Sequence, residues 1–215
     1  MARFCSAEEA VSVIADRDVL VSTGFRWASS PELLLSGLRR RYEETGSPRN
    51  LTLVFSSAQG DSSKPNGLEH LAIEGLLKRV VGGFWGATPN LMRLALEGKI
   101  EAFNFPQGQI GATYRAIASG SPGVLTKVGI RTYVDPREEG GRLNSTTPAE
   151  YLQILQIDGI DWMLYKSFPV NIALIRGTAA DEDGNISFEE EAVLVEALSA
   201  AIAAKNSGGK VLVQV

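Results

Sequence analysis

The chain has 215 residues, 44% hydrophobic and 21% charged, with a formal net charge of −4 at pH 7. That length suits one α/β domain with a real core, and the acidic balance argues against a nucleic-acid partner, which calls for a basic stripe. A single cysteine (Cys5) and a single histidine (His70) exclude an internal disulfide and a Cys/His zinc site; with no signal-peptide core and no membrane-length apolar run, a cytoplasmic protein with no membrane contact is expected.

Ser6 and Glu9 have the spacing of a capping box, which opens a helix expected to reach about Ala15. Val19 to Thr23 reads as a buried strand ending at Gly24. Pro31 opens an amphipathic helix that turns Leu33, Leu34, Leu38 and Tyr42 to the core, with Arg39-Arg40-Arg41 on its solvated face. Leu51 to Phe55 is a second strand, Leu68 to Leu77 a helix, and Arg79 to Val81 a third strand. Leu91 to Leu96 is helical, Ile100 to Phe103 is a fourth strand, and Ile110 to Ala118 is helical again. From about Ser119 to Pro148 the chain is rich in Gly, Pro and Arg and is the least regular stretch; loops that long are usually functional or disordered. Tyr151 to Ile157 and Trp162 to Lys166 flank Asp158-Gly159, the pattern of an antiparallel hairpin. Ile172 to Arg176 is a strand, Glu190 to Ala204 a helix, and Lys210 to Val215 a nearly all-apolar strand, buried on both faces. Strands alternating with short helices predict one α/β domain over residues 1–215, with a mostly parallel sheet, helices on both faces and a small antiparallel hairpin.

The segment Ala102-Phe103-Asn104-Phe105-Pro106-Gln107-Gly108 sets one amide side chain, Gln107, between a proline and a glycine at a strand-to-helix corner. Ligands of open α/β sheets sit at such corners. Gln107 either caps the helix that follows or donates to a developing oxyanion. Two glycine-rich turns are expected at the same edge. Thr23-Gly24-Phe25-Arg26-Trp27 follows the first strand, and Gly24 there would let a carbonyl or thioester approach the backbone. Gly82-Gly83-Phe84-Trp85-Gly86 follows the third, where Phe84 or Trp85 either walls an acyl pocket or belongs to the core. This second turn does not have the spacing of a nucleotide fingerprint. Asp181-Glu182-Asp183-Gly184-Asn185 fails the calcium-loop pattern and reads as a turn, and His70 reads as structural.

In series, Val80-Val81-Gly82-Gly83-Phe84-Trp85-Gly86, Pro106-Gln107-Gly108, Thr126-Lys127-Val128-Gly129, Tyr133-Val134-Asp135-Pro136-Arg137, Gly140-Gly141-Arg142-Leu143-Asn144 and Ile175-Arg176-Gly177 through Asp181-Glu182-Asp183-Gly184-Asn185 resemble the N-terminal half of a family I coenzyme A transferase, of the acetate/propionate or 3-oxoacid type. The resemblance runs from about Ser6 to the last residue. In 3-oxoacid members the first turn resembles Gly-Gly-Phe-Gly ending in Pro-Glu; Gly24, Phe25, Pro31 and Glu32 match it, and Thr23 and Arg26 depart from it. The resemblance implies ping-pong transfer through a glutamyl-CoA thioester, with coenzyme A as substrate and no cofactor or metal. It implies Gln107 as oxyanion donor and Gly24, Phe25, Gly83, Trp85 and Gly108 as substrate-binding residues. The family's nucleophilic glutamate lies in a second domain, in a Glu-Asn-Gly-type motif, and this sequence has no Glu-Asn pair. The expected partners are therefore that C-terminal domain or subunit, the acyl-CoA and acid substrates, and a second copy in a homo-oligomer. Two other readings remain: a stand-alone small-molecule-binding domain of sugar-phosphate isomerase type, and a non-catalytic partner domain.

Overall fold

A computed structural model describes residues 2–61 and 65–215. Helix α1 (Ala7–Val11) leads into β1 (Val19–Ser22), α2 (Glu32–Thr45) and β2 (Leu51–Ser57). A 3-10 helix (Gly67–Leu71) precedes β3 (Leu77–Phe84), α3 (Pro89–Leu96), β4 (Glu101–Asn104) and α4 (Gln107–Ala118). Then come β5 (Gly123–Thr126), β6 (Leu152–Ile157), β7 (Ile160–Lys166) and β8 (Ile172–Arg176). The short pair β9 (Ala179–Ala180) and β10 (Ile186–Ser187), α5 (Ala197–Asn206) and β11 (Lys210–Gln214) complete the fold.

The main sheet has six strands in the order β11-β8-β1-β2-β3-β4, and every pairing is parallel. Successive side chains on a strand point to opposite faces, so neighbours divide between two cores. Leu20, Leu53 and Val80 pack with α1, α2 and α3 through Val11, Leu34, Leu35, Leu38, Leu91 and Leu94. Val21, Val54 and Val81 face the other way, against Ile110 and Tyr114 of α4, Ala200 and Ala204 of α5, and Met163 and Tyr165 of β7. The α/β class and the parallel sheet follow the sequence expectation. The expected hairpin, β6–β7, gains β5 as a third antiparallel strand. So the stretch expected to be irregular supplies a strand.

Several expectations are corrected. The helix expected over Leu68 to Leu77 is a 3-10 turn, and Leu77 already belongs to β3. α1 stops at Val11. Leu33 lies outside the core, 56% exposed, while Leu35 takes the buried place. The last helix starts at Ala197, because Val195 adopts φ 36°, which a helix cannot continue through. The arginine run of α2 divides: Arg39 and Arg40 pair with Glu43 and Glu8 near solvent, whereas Arg41 donates to the carbonyls of Val11 and Ile14. Arg41 thereby satisfies carbonyls at the end of α1 that have no helical partner.

The two edges of the sheet differ. β4 is covered by the segment around residues 141–147: Asn104 N donates to Gly141 O (2.7 Å), Leu143 N to Ala102 O (2.9 Å) and Ala102 N to Thr147 Oγ1 (2.8 Å). That segment follows a clasp built on Asp135. Its carboxylate accepts from Arg131 N, Arg137 N, Arg137 Nε and Arg137 Nη2 at 2.8–3.0 Å, and Arg137 Nη1 also donates to Asp161 (2.6 Å). The Arg137 guanidinium and the two backbone donors hold the Asp135 carboxyl far below the usual carboxylate range. β11 pairs on one side only, with β8, and as an edge strand it is not buried on both faces as expected: Val211 is 37% exposed and Val215, just past its end, 55%.

Candidate functional site

All six parallel strands end at one edge, so the corners after β1, β2, β3, β4 and β8 meet there. β1 has β2 on one side and β8 on the other. The strand order therefore reverses direction beside β1, the place where open α/β sheets bind ligands. The loop after β1 crosses to the loop after β8: Ser29 Oγ donates to Val193 O at 2.6 Å.

Gln107 is the first residue of α4. Phe105 N donates to Gly82 O (3.0 Å), which ties the end of β4 to β3, and Pro106 starts the turn with φ −56°. Gln109 N and Ile110 N return to Pro106 O at 2.9 and 3.2 Å. No side chain caps this helix end, so capping is not the role of Gln107. Its side chain is exposed. Gly83 fixes where it lies: a β-carbon at residue 83 would stand 2.7 Å from Gln107 Cγ and 3.1 Å from its Cα, and would also overlap Ser56 O. A β-carbon at Gly108 would meet nothing within 4 Å, so the space beside Gln107 is open.

Gly24 has φ 149°, and a β-carbon there would crowd Ser29 O (3.0 Å) and Gln59 Cγ (3.1 Å). The loop is pinned by Phe25 N to Ala28 O (2.9 Å) and Arg26 N to Ala58 O (3.1 Å). This leaves Phe25 and Trp27 half exposed, at 47% and 50%. Trp85 turns inward instead: its indole packs edge-on against Phe55 with ring centroids 5.5 Å apart. The indole belongs to the core, and Phe84, 40% exposed, is the aromatic of this turn that faces outward.

Buried polar atoms without partners gather at the same edge. They include Ser30 Oγ after β1, Ser57 Oγ and Gln59 Nε2 at the end of β2, and Trp85 Nε1 after β3. Such atoms are rare in folded proteins because each forfeits its hydration. Gln59 is fully buried; its Oε1 accepts from Ser22 Oγ (2.8 Å) while its N–H₂ is left unused. His70 is structural, as expected: its Nε2 lies 2.7 Å from Glu32 Oε1, and Glu32 Oε2 accepts from Gly67 N (2.7 Å). Asp181 takes Asp183 N, Asn185 N and Asn185 Nδ2, which closes the expected turn and depresses its own pKa through those bonds.

Sequence reading missed Glu196. The broken helix makes it the residue before α5, and it reaches back to Ser56 at the end of β2, where Ser56 Oγ donates to Glu196 Oε2 at 2.7 Å. Its signal was hidden: Leu194-Val195-Glu196-Ala197-Leu198 carries no helix-start residue, so periodicity ran straight through it. Among the described residues, no group of three or more His, Cys, Asp or Glu is arranged to hold a metal ion, and no helix is long and apolar enough to cross a membrane.

The fold defines a doubly wound α/β domain with an amide-bearing corner at the carboxyl edge of its sheet. The chain matches the model of the family described as Coenzyme A transferase over residues 4–207, and it belongs to that family. It is 40% identical over 215 residues to the caffeate CoA-transferase of Acetobacterium woodii; all of this chain aligns, to 41% of that protein. The solved acyl-CoA transferase of Escherichia coli O157:H7 (YdiF), a thioester complex with CoA, matches with a TM-score of 0.95 at 38% identity, over 98% of this chain and 41% of that one. The chain thus spans about two-fifths of the length of these relatives. It also covers 75% of the shorter acetate CoA-transferase subunit alpha of E. coli (strain K12), at 26% identity over 187 residues.

Proposed function

We propose that this chain is the alpha-type half of a CoA-transferase that moves CoA between an acyl-CoA and a short-chain carboxylic acid. The observation that carries the reading is the Gln107 amide, seated on Gly83 at the carboxyl edge, in a chain of this family. A C-terminal half, fused or separate, would bring the nucleophilic glutamate. Its carboxylate adds to the thioester carbonyl, and the resulting tetrahedral oxyanion collapses to a mixed anhydride and CoA thiolate. The thiolate then adds to the glutamyl carbonyl of the anhydride, expelling the first acid and leaving a glutamyl-CoA thioester. A second carboxylate adds to that thioester, and the same two steps run in reverse. Carboxylate catalysis of this kind divides one difficult exchange into easier ones.

Gln107 would donate to the oxyanion, where a placed amide contributes most. Gly24 and Gly83 would serve substrate binding by letting the loops and Gln107 pack closely at this edge, Gly108 leaves room beside the amide, and Phe25 walls the approach. Trp85 would act through Phe84, by fixing the turn that carries it. Coenzyme A is substrate here, and the chemistry needs no cofactor. We further propose a cytoplasmic enzyme that self-associates, since exposed Phe25, Trp27 and Phe84 share the edge a second half would cover.

The test is CoA transfer from acetyl-CoA to propionate by this chain alone and with the C-terminal half added, with light scattering on both samples. Turnover is expected only with both present, and a dimer for the chain alone. Turnover by the chain alone overturns the two-half reading, and none with both overturns the transferase reading.

A further inference from the structure

Glu196 stands between the first turns of α4 and α5, on the face of the sheet that both helices cover. Its Oε2 holds Ser56 Oγ at 2.7 Å. Its other end lies against α4: a β-carbon at Gly111 would meet Glu196 Cγ at 3.1 Å and Oε1 at 3.3 Å. Gly111 is four residues after Gln107, so the two share one face of α4 and lie one turn apart, about 6 Å along the axis. Ser56 connects them from below, because its carbonyl abuts Gly83, and Gly83 abuts Gln107.

This carboxylate has no ion-pair partner among the described residues, and the only donor to its side chain there is a neutral hydroxyl. Its charge is felt by the fully buried Tyr114, whose hydroxyl is pushed well up by burial and then by Glu196. The residue before α5 also lies at the positive end of that helix, which favours a negative group. An anionic group of a substrate would be drawn to the same position, and Glu196 already fills it.

We infer that Glu196 selects the acid: its fixed charge one helical turn from Gln107 disfavours acceptors with a second carboxylate, so the site takes monocarboxylic acids. The inference rests on the proposed transferase reading. With its reacting carboxyl at the Gln107 amide, a short acid whose tail lies along α4 would point it at Glu196. A four-carbon dicarboxylate would bring its far charge close to Glu196, and like charges placed together are a strong element of discrimination.

The experiment uses this chain with its C-terminal half and compares kcat/KM for propionate and for succinate, with acetyl-CoA as donor. The parent enzyme should favour propionate by about tenfold or more, and Glu196→Gln, which keeps the Ser56 bond, should narrow that ratio about fivefold. In the parent enzyme, raising the salt from about 0.01 M to about 1 M shortens the screening length from about 30 Å to about 3 Å and should narrow the ratio as well. If Glu196→Gln does not fold, the salt series decides alone. Propionate transfer with a ratio indifferent to both variant and salt overturns the role of Glu196 and leaves the transferase reading intact. No transfer to either acid overturns the transferase reading, and this inference falls with it.

Discussion

Gly83 and Gln107 touch so closely that the smallest side chain at residue 83 would stand 2.7 Å from Gln107 Cγ. The end of β3 therefore serves as the seat for the first residue of α4. Gly83→Ala must shift α4, the strand end, or both. Overpacking of this kind costs roughly 1–3 kcal/mol. Displacing a reacting donor by about an ångström costs up to about 10²-fold in rate. The expected outcome is a lower urea midpoint together with a kcat loss in the two-half enzyme. A kcat equal to that of the parent would separate the Gly83 contact from catalysis.

Gln107→Ala removes the amide without crowding its seat. With the C-terminal half present, kcat should fall by about 10²–10³, the usual loss for one oxyanion donor. Binding of acyl-CoA should change far less, because the interaction grows only as charge develops. Single-turnover kinetics separates the chemical step from binding. An unaltered chemical step would remove Gln107 from the mechanism.

Asp135 predicts an acid sensitivity. Its folded pKa is depressed by Arg137 and by backbone donors, so the group stabilises the fold when ionised. That contribution is fully present above the unfolded carboxylate value of about 3.9 and is lost progressively as pH falls below it. Asp135→Asn should cost about 1–2 kcal/mol at pH 7, since the donors around this buried carboxylate lose a charged acceptor while water screens the half-exposed Arg137. The gap between parent and variant should stay level from about pH 5 to about pH 8 and close below about pH 4. Urea unfolding at several pH values measures it; a gap that persists undiminished at about pH 3 would show that the clasp is not electrostatic.

The strands were legible in the sequence because paired apolar residues such as Leu20-Val21 and Leu53-Val54 must be buried on both faces, which only a covered parallel sheet allows. The Pro-Gln-Gly corner was legible for a local reason: proline and glycine fix a turn wherever they stand. The 3-10 turn at Gly67–Leu71 was not, since Glu32 sets it from the far side of α2's first turn through a bond to Gly67 N. Glu196 was hidden in the same way. Its partner Ser56 lies 140 residues away in sequence, and no periodicity reports a contact of that range. Trp85 shows the limit of composition: one turn carries two adjacent aromatics, and only the packing against Phe55 decides which of them turns inward.

The unequal edges of the main sheet give this domain a polarity. β4 is already closed by the 141–147 segment, so an added strand, from a longer chain or from another copy, has one place to join, beside β11. Neighbouring strands lie about 4.8 Å apart, so the newcomer, six places from β4, enters roughly 29 Å from the strand that leads to Gln107. A group carried on it would have to traverse the mouths of β11, β8, β1, β2 and β3 to reach the amide. The path runs over Ser29, Phe25 and Trp27, which makes the corner after β1 the bridgehead between the open end of the sheet and the end that carries the amide.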